Sequence, residues 1–179
     1  DDQHHFRLTL NNTSASNIII PSGDWEIVLH GKNQLDGKGQ YCSGIALYIT
    51  DGGTATIVAG TGAASLTANG YKTSGNADGS CGIEVQGNLT VKSGNVVAVM
   101  EATGQFNDAS GAIYVTQKGT LNINGGSVTA KGKGKYGLCA LGTVNMSEGN
   151  FEITGENKVA VDHGQNSNFT LSGGTVTIT

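Results

Sequence analysis

One short pattern recurs along the chain and restricts the fold more than any other feature. Residues 119–132, GTLNINGGSVTAKG, contain two runs that alternate apolar and polar residues, separated by a double glycine. Related pairs of runs lie at 87–104, 142–155 and 168–179, and a more diverged pair lies at 17–31. A period of two residues is typical of β-strands with one buried face, and glycine permits the tight turn between them.

A third apolar run precedes each pair, so one unit contains three short strands. The third runs are RLTL (7–10), GIALYI (44–49), CGIEVQ (81–86), GAIYVT (111–116), GLCALG (137–142) and KVAVDH (158–163). One unit has too small an apolar face to be stable alone, but stacked units bury a continuous core. We therefore predict an all-β chain that forms a single-stranded right-handed parallel β-helix (β-solenoid) of about six coils, three short strands per coil. An antiparallel sandwich is the alternative, but it does not predict the same order of three runs in each unit.

In this register the inward positions form apolar columns. The first-strand columns are Leu8, Ile45, Ile83, Ile113, Leu138, Val159 and Leu10, Leu47, Val85, Val115, Ala140, Val161. The second-strand columns are Ile18, Leu89, Leu121, Val144, Phe169 and Ile20, Val91, Ile123, Met146, Leu171. The third-strand columns are Trp25, Leu66, Val96, Val128, Phe151, Val176 and Ile27, Ala68, Ala98, Ala130, Ile153, Ile178. The pattern does not fix the second strand of the second unit, near TATIVAG (54–60).

The length and charge of the chain narrow its organisation and its partners. We expect residues 1–179 to form one domain, with 1–17 as an N-terminal cap or first strand and the C-terminal end continuing into a longer protein. The net charge of −4 lacks the basic footprint of a nucleic-acid-binding protein, so no nucleic acid is expected. No apolar run is long enough for a transmembrane segment. The sequence leaves the oligomeric state open.

The repeat also resembles a known family. Its pattern GI-x-V-x-G-x-LTV-xxG-x-V-x-A-x-G is similar to that of secreted and surface right-handed β-helix proteins of gut bacteria, described as carbohydrate-binding or adhesin-like. The stretch EIVLHGKNQLDGKG (26–39), followed by GIALYI, resembles the front of that family's β-helical carbohydrate-binding domains. The resemblance implies an extracellular or cell-surface location in the bacterial envelope. It carries over no particular site residue.

The sequence does not favour an enzyme. Parallel β-helices also include polysaccharide lyases and hydrolases, which need clustered or paired carboxylates. The outward acids Glu84, Glu152 and Asp162 lie on different coils or faces, and the neighbours Asp162 and His163 point to opposite sides of a strand. A degenerate or partial lyase or hydrolase stays as an alternative.

We predict no cofactor and no metal site, with calcium as the alternative. The turns at 75–80 and 106–111 contain four side chains with oxygen ligands: Asn76, Asp78, Asn107 and Asp108. They match no known calcium loop, and turns favour asparagine and aspartate for conformational reasons.

The three cysteines have no zinc-like spacing. Cys42 and Cys81 precede the first strands of adjacent coils, so a disulfide is sterically allowed, but reduced thiols are the favoured interpretation. Cys139 aligns with Glu84 in an outward column.

Aromatic residues suggest a binding surface. The turns that join one coil to the next each contain one aromatic residue: Tyr41, Tyr71, Phe106 and Tyr136. In stacked coils these four form a stripe on which sugar rings can stack, and Tyr48 and Tyr114 add aromatic surface on the adjoining face. The alternative is that the rings fold back over the coils and shield the core.

A short basic stretch lies at the same edge. Lys131, Lys133 and Lys135 occur in AKGKGKYG (130–137), with Lys72 and Lys158 in flanking turns. They form a local positive spot that can attract an anionic polysaccharide, or they are simply solvated.

Ice binding is a further hypothesis, because regular Thr-x-Thr faces occur on β-helices. The outward third-strand column is predicted as Glu26, Thr67, Val97, Thr129, Glu152 and Thr177. Glutamate and valine interrupt it, so the sequence argues against this function.

The leading prediction is a non-catalytic extracellular or cell-surface module that binds glycans or mediates adhesion. Its expected partner is a polysaccharide or a host or matrix glycan. The alternative from another class is a structural stalk or spacer in a larger surface protein.

Overall fold

The computed structural model describes residues 5–38, 44–72, 80–102, 111–133, 136–155 and 160–179. All regular secondary structure in these ranges is β-strand. No helix within them is long and apolar enough to cross a membrane.

Sixteen strands are described. They are β1 (His5–Asn11), β2 (Ser14–Ala15), β3 (Ile18–Ile20), β4 (Gly23–Asp36), β5 (Leu47–Ile49), β6 (Gly53–Lys72), β7 (Ile83–Val85), β8 (Asn88–Val91), β9 (Asn95–Ala102), β10 (Gly111–Val115), β11 (Thr120–Lys133), β12 (Tyr136–Ala140), β13 (Thr143–Gly155), β14 (Val161–His163), β15 (Asn168–Leu171) and β16 (Thr175–Ile178). Strands β3, β5, β7, β10, β12 and β14 form a six-stranded sheet, and the other ten form a second sheet.

Each repeat contributes one strand to the six-stranded sheet and its next one or two strands to the ten-stranded sheet. We number the repeats 1 to 6 from the strand that each contributes to the six-stranded sheet, β3 to β14. Every pairing is parallel and joins neighbouring repeats, as in Ile83 with Ile113 and Leu89 with Leu121. The predicted all-β class and parallel strands are confirmed, and the sheet order is compatible with a β-solenoid.

Glycines form the corners between the second and third runs. Gly126 has a φ of 69°, a left-handed conformation that favours glycine, and a Cβ there would lie 2.6 Å from the Gly94 carbonyl oxygen. The pairing of β11 with β13 shifts register on either side of Asn124. In several repeats the chain therefore continues through the corner as one long strand, where the sequence predicted two short ones.

The core lies between the two sheets, along the inward columns. The second- and third-strand columns of repeats 3 to 6 pair as predicted, for example Val144 with Phe169 and Ile153 with Ile178. In repeat 2 the second run places Ala55 and Ile57 in register with Leu89 and Val91. The inward side chains of repeats 3 to 5 are almost completely buried.

The predicted register of the first repeat is wrong. Leu8 of β1 pairs with Ile27, so RLTL occupies a second-strand position in a partial turn that precedes repeat 1. Ile18 pairs with Leu47 in the six-stranded sheet and is a first strand. Trp25 therefore belongs to the second run, and residues 32–36 form the third. The corner at Gly23, predicted between a second and a third strand, lies between the first strand and the second run, so every run of repeat 1 is shifted by one strand.

Two first strands are also displaced by two residues from their predicted positions. Leu47, not Ile45, pairs with Ile83, and Val161, not Val159, pairs with Leu138. Period-two alternation cannot detect such a shift, because it leaves the same side chains facing inward.

The C-terminal repeat leaves its apolar side uncovered. Phe169, Leu171 and Ile178 are 42%, 57% and 58% exposed. An apolar cavity of about 220 Å³ opens there, lined by Phe151, Ile153, Val161, His163, Phe169, Leu171, Val176 and Ile178.

Candidate binding surfaces

The predicted site residues fall on two sides of the molecule. Tyr41, Phe106 and Lys135 lie outside the described residues. Tyr71, Lys131 and Lys133 lie near the ends of third runs in the ten-stranded sheet. Tyr48, Tyr114 and Tyr136 lie on the six-stranded sheet.

A row of aromatic and charged side chains follows the end of the third runs. Tyr71 pairs with Glu101, and Glu101 pairs with Lys133 in the next repeat. The Nζ atom of Lys38 lies 4.2 Å from the ring centre of Tyr71, within the range of a cation–π contact. Lys133 Nζ lies 3.0 Å from Glu101 Oε1. We call Lys38, Tyr71, Glu101 and Lys133 the edge row.

The edge row reduces the positive charge that the sequence predicted here. Lys133 forms an ion pair with Glu101, so its charge is largely compensated. Lys131 is exposed in the adjacent column, and among the described residues no carboxylate forms an ion pair with it. The lysine best placed to contact an anionic group is therefore Lys131.

The outward column of the six-stranded sheet runs through all six repeats. Its members are Ile19, Tyr48, Glu84, Tyr114, Cys139 and Asp162. Ile19 at one end is 49% exposed, but Glu84 is 6% exposed and Cys139 is fully buried, so the middle of this column is not a solvated face. Tyr48 and Tyr114 pack against Ile45 and Cys81. These two rings therefore cover a small apolar cluster that is separate from the main core.

Burial dominates the electrostatics of this column. It raises the pKa of the Glu84 carboxyl above its ordinary value, and a hydrogen bond from Gln86 Nε2 to Glu84 Oε1, 2.8 Å long, opposes that change only in part. Burial, followed by the nearby Glu84, also raises the pKa of the Tyr48 hydroxyl.

Burial likewise raises the pKa of the Cys81 thiol well above its usual range, with smaller effects from Glu84 and Cys139. A thiol with a raised pKa remains protonated and is a poor nucleophile. Cys42 lies outside the described residues, so its relation to Cys81 stays a prediction. Cys139 lies in the same column as Glu84, as predicted, and its Sγ lies 3.9 Å from Asp162 Oδ2.

The predicted aromatic stripe remains a prediction. Tyr136 pairs with Gly111 and is partly buried, and its pKa is raised by burial and then by Asp162 and Cys139. Tyr71 lies three repeats away in the other sheet, and the intervening Phe106 is outside the described residues.

The carboxylates do not converge. Glu84 and Asp162 share a column but lie three repeats apart, and Glu152 projects from the other sheet. Within the described ranges no three His, Cys, Asp or Glu side chains are placed to hold a metal ion. The four predicted calcium ligands lie outside those ranges.

Sequence reasoning missed a second surface, on the outward side of the second runs. Two adjacent columns there contain only threonine and asparagine in repeats 2 to 6, where the sequence reads TAT, NLT, TLN, TVN and NFT. We call this the polar array; its members are Thr54, Thr56, Asn88, Thr90, Thr120, Asn122, Thr143, Asn145, Asn168 and Thr170. The signal was present in the sequence, because the predicted register of repeats 3 to 6 already places eight of these residues on the outward side of second strands.

Most polar groups of the array are available to a ligand. Asn145 Nδ2 donates to Asn122 Oδ1 at 2.9 Å, and Asn122 Nδ2 donates to Thr90 Oγ1 at 3.4 Å. The other seven side chains form no hydrogen bond to described residues. All ten are partly or fully exposed.

Comparison with known proteins adds no family. No family model, curated protein or solved structure matches this chain.

Proposed function

We propose that this chain is a non-catalytic, extracellular or cell-surface module that binds polysaccharide or mediates adhesion to glycans. The scaffold would be a right-handed parallel β-helix of about six coils, the hand that parallel crossover connections almost always adopt. The observation that carries the proposal is the edge row, where the partly exposed Tyr71 lies among charged side chains of successive repeats.

This arrangement has the elements of a sugar-binding site. The C–H face of a sugar ring stacks on an aromatic ring, and nearby polar groups determine its orientation. The Tyr71 ring already has one cation against it, Lys38, whose long side chain can move aside or contact a sugar hydroxyl. Lys131 lies on the same side and can contact the carboxylate of an acidic sugar.

Binding to a panel of neutral and acidic polysaccharides, with and without calcium, tests the proposal. We expect Tyr71→Ala to weaken binding about three- to tenfold through loss of the stacking contact. Tyr71→Phe keeps the ring and should retain most of the affinity.

Charge variants form a second arm. Lys131→Glu should weaken binding of acidic polysaccharides specifically, because it reverses the charge of the exposed lysine that forms no ion pair with a described carboxylate. Lys32→Glu, an exposed substitution in repeat 1, is the matched control. If the unmodified chain binds no polysaccharide of the panel, the proposal is wrong.

The second candidate function is a stalk or spacer, and the uncovered apolar end of repeat 6 favours it. Exposed apolar patches frequently mark surfaces that contact another protein unit. If the chain is a stalk, it should bind no polysaccharide, and it should self-associate or stack through this end. Leu171→Lys would then abolish association, as measured by analytical ultracentrifugation.

A further inference from the structure

We propose that the polar array is a second ligand-binding surface, and that it binds a neutral, unbranched polysaccharide lying across the repeats. This inference rests on the proposed function, since it assumes a glycan ligand. It assigns that ligand to a surface separate from the edge row.

The composition of the array differs from that of an ordinary solvated sheet face. Exposed strand positions usually include charged residues, and asparagine is depleted in strands. Here ten outward positions in five consecutive repeats contain six threonines and four asparagines. The adjacent third-strand column, by contrast, includes Gln34, Val97 and Glu152 at equivalent positions.

A ladder of stacked amides explains only part of this composition. Asn122 and Asn145 hydrogen-bond to each other, so they also stabilise the stack. Asn88 and Asn168 lie in the other column and form no such bond to the described residues. Their side chains, like those of Thr54, Thr120 and Thr143, have donors and acceptors that no described protein group uses.

The geometry gives the array a regular period in two directions. Residues two apart on a strand are about 6.6 Å apart, and paired strands are about 4.8 Å apart. Five repeats therefore present hydrogen-bonding groups over about 19 Å along the stack. Buried side chains such as Leu89, Leu121 and Val144 alternate with the array and hold it in place. A polymer with repeating hydroxyl groups is the ligand class that can use such a period.

The chemistry of the array favours a neutral ligand. Hydroxyl and amide groups both donate and accept hydrogen bonds, which suits sugar hydroxyls. The array itself has no charge, and repeat 1 places Asp24 and Glu26 at the positions that continue its two columns. Arg7 Nη2 lies 2.7 Å from Glu26 Oε2 and His5 Nδ1 lies 2.9 Å from Asp24 Oδ2, so this end offers an anionic chain no uncompensated positive charge. A polysaccharide without side branches can approach both columns along their whole length.

The test compares three polysaccharides: linear mannan, branched galactomannan and anionic alginate. The double variant Thr120→Val/Thr143→Val removes two hydroxyls and keeps the β-branched shape, so the strands should be retained. The control Thr67→Val/Thr177→Val makes the same change in the third-strand column of the same sheet. Thermal unfolding followed by circular dichroism checks that both variants fold.

We expect the array variant to bind linear mannan about fivefold more weakly or worse, because two hydrogen bonds are lost. The control should bind like the unmodified chain. Thr120→Asn/Thr143→Asn keeps the polar chemistry and should retain binding. The unmodified chain should bind galactomannan and alginate more weakly than linear mannan.

Three outcomes would overturn the inference, and they are distinguishable. Unchanged mannan binding by the array variant, combined with a loss in Tyr71→Ala, retains the proposed function and rejects the array as its site. No binding of any polysaccharide rejects both proposals. Inhibition of ice recrystallisation that the array variant loses, without mannan binding, would assign the array to ordered water instead.

Discussion

Repeats 4 and 6 have the same sequence pattern but very different environments. Leu121 in repeat 4 is 1% exposed, and Phe169 at the same position of repeat 6 is 42% exposed. Ile123 is fully buried, and its counterpart Leu171 is 57% exposed. The strands of repeat 4 pair with described strands on both sides. The strands of repeat 6 pair with repeat 5 alone.

This difference shows that burial in such a stack depends on the next repeat and not on the sequence of a repeat alone. An apolar column increases the free energy of unfolding only where another repeat covers it. The same substitution should therefore have a large effect in the middle of the stack and a small effect in repeat 6.

The largest difference is expected for truncation of a core leucine. Leu121→Ala should lower the free energy of unfolding by about 2–5 kcal/mol, because it creates a cavity in a packed column. Leu171→Ala removes a side chain that is more than half exposed and should cost less than about 1 kcal/mol. Urea unfolding followed by circular dichroism measures both changes.

Equal effects of the two leucine substitutions would contradict the comparison. A large effect of Leu171→Ala would mean that repeat 6 is covered in solution, for instance by another copy of the chain. Repeating the measurement at several protein concentrations separates these cases, because association makes the stability depend on concentration.

Only part of this stack could be predicted from the sequence. An alternation of period two specifies which side chains face inward, but not which strand position a run occupies. Alternation together with the corner glycines was sufficient for repeats 3 to 5, where each run has a clear boundary. It failed in repeat 1, because Gly23 in IIIPSGDWEIV fits the corner after a first strand as well as the corner after a second strand. Only pairing partners in space, such as Ile18 with Leu47, fix the choice.

The glycine corners provide the second comparison. Gly126 and Gly174 both have positive φ, 69° and 84°, so alanine at either position costs about 1–2 kcal/mol from backbone strain alone. At Gly126 the added Cβ also meets the backbone of Ser93 and Gly94 in the covered interior of the stack. At Gly174 the added Cβ meets the flexible end of Met146 and the Gly149 carbonyl oxygen, 2.8 Å away, but this corner lies in repeat 6, whose strands pair with repeat 5 alone.

Gly126→Ala should therefore destabilise the chain more than Gly174→Ala, with the difference visible in the urea midpoint. Gly62→Ala is the control for strain alone, since its φ is 63° and nothing lies within 4 Å of the added Cβ. If all three variants lose the same stability, packing at the corners contributes nothing and only φ matters.

The candidate surfaces were less predictable than the fold, for a physical reason. Tyr48 and Tyr114 are as compatible with stacking on a sugar as with covering Ile45 and Cys81, and the sequence cannot decide between these roles. The polar array of threonines and asparagines follows from the predicted register of repeats 3 to 6, and only its continuation through Thr54 and Thr56 required the strand pairing of repeat 2. An outward face is a property of register, and one misplaced strand changes its composition.

The smallest expected effect concerns the buried outward column of the middle repeats. Burial raises the pKa of Glu84 above 4.5, so the folded chain binds more protons than the unfolded chain between 4.5 and the raised value. The free energy of unfolding should fall as pH increases through that interval. Glu84→Gln cannot titrate and should lack this part of the decrease.

Gln86→Leu removes the hydrogen bond that opposes the increase in the pKa of Glu84, and should enlarge that increase. Urea midpoints measured between pH 4 and pH 8 test both variants, and parallel pH profiles for Glu84→Gln and the unmodified chain would mean that Glu84 is solvated in solution.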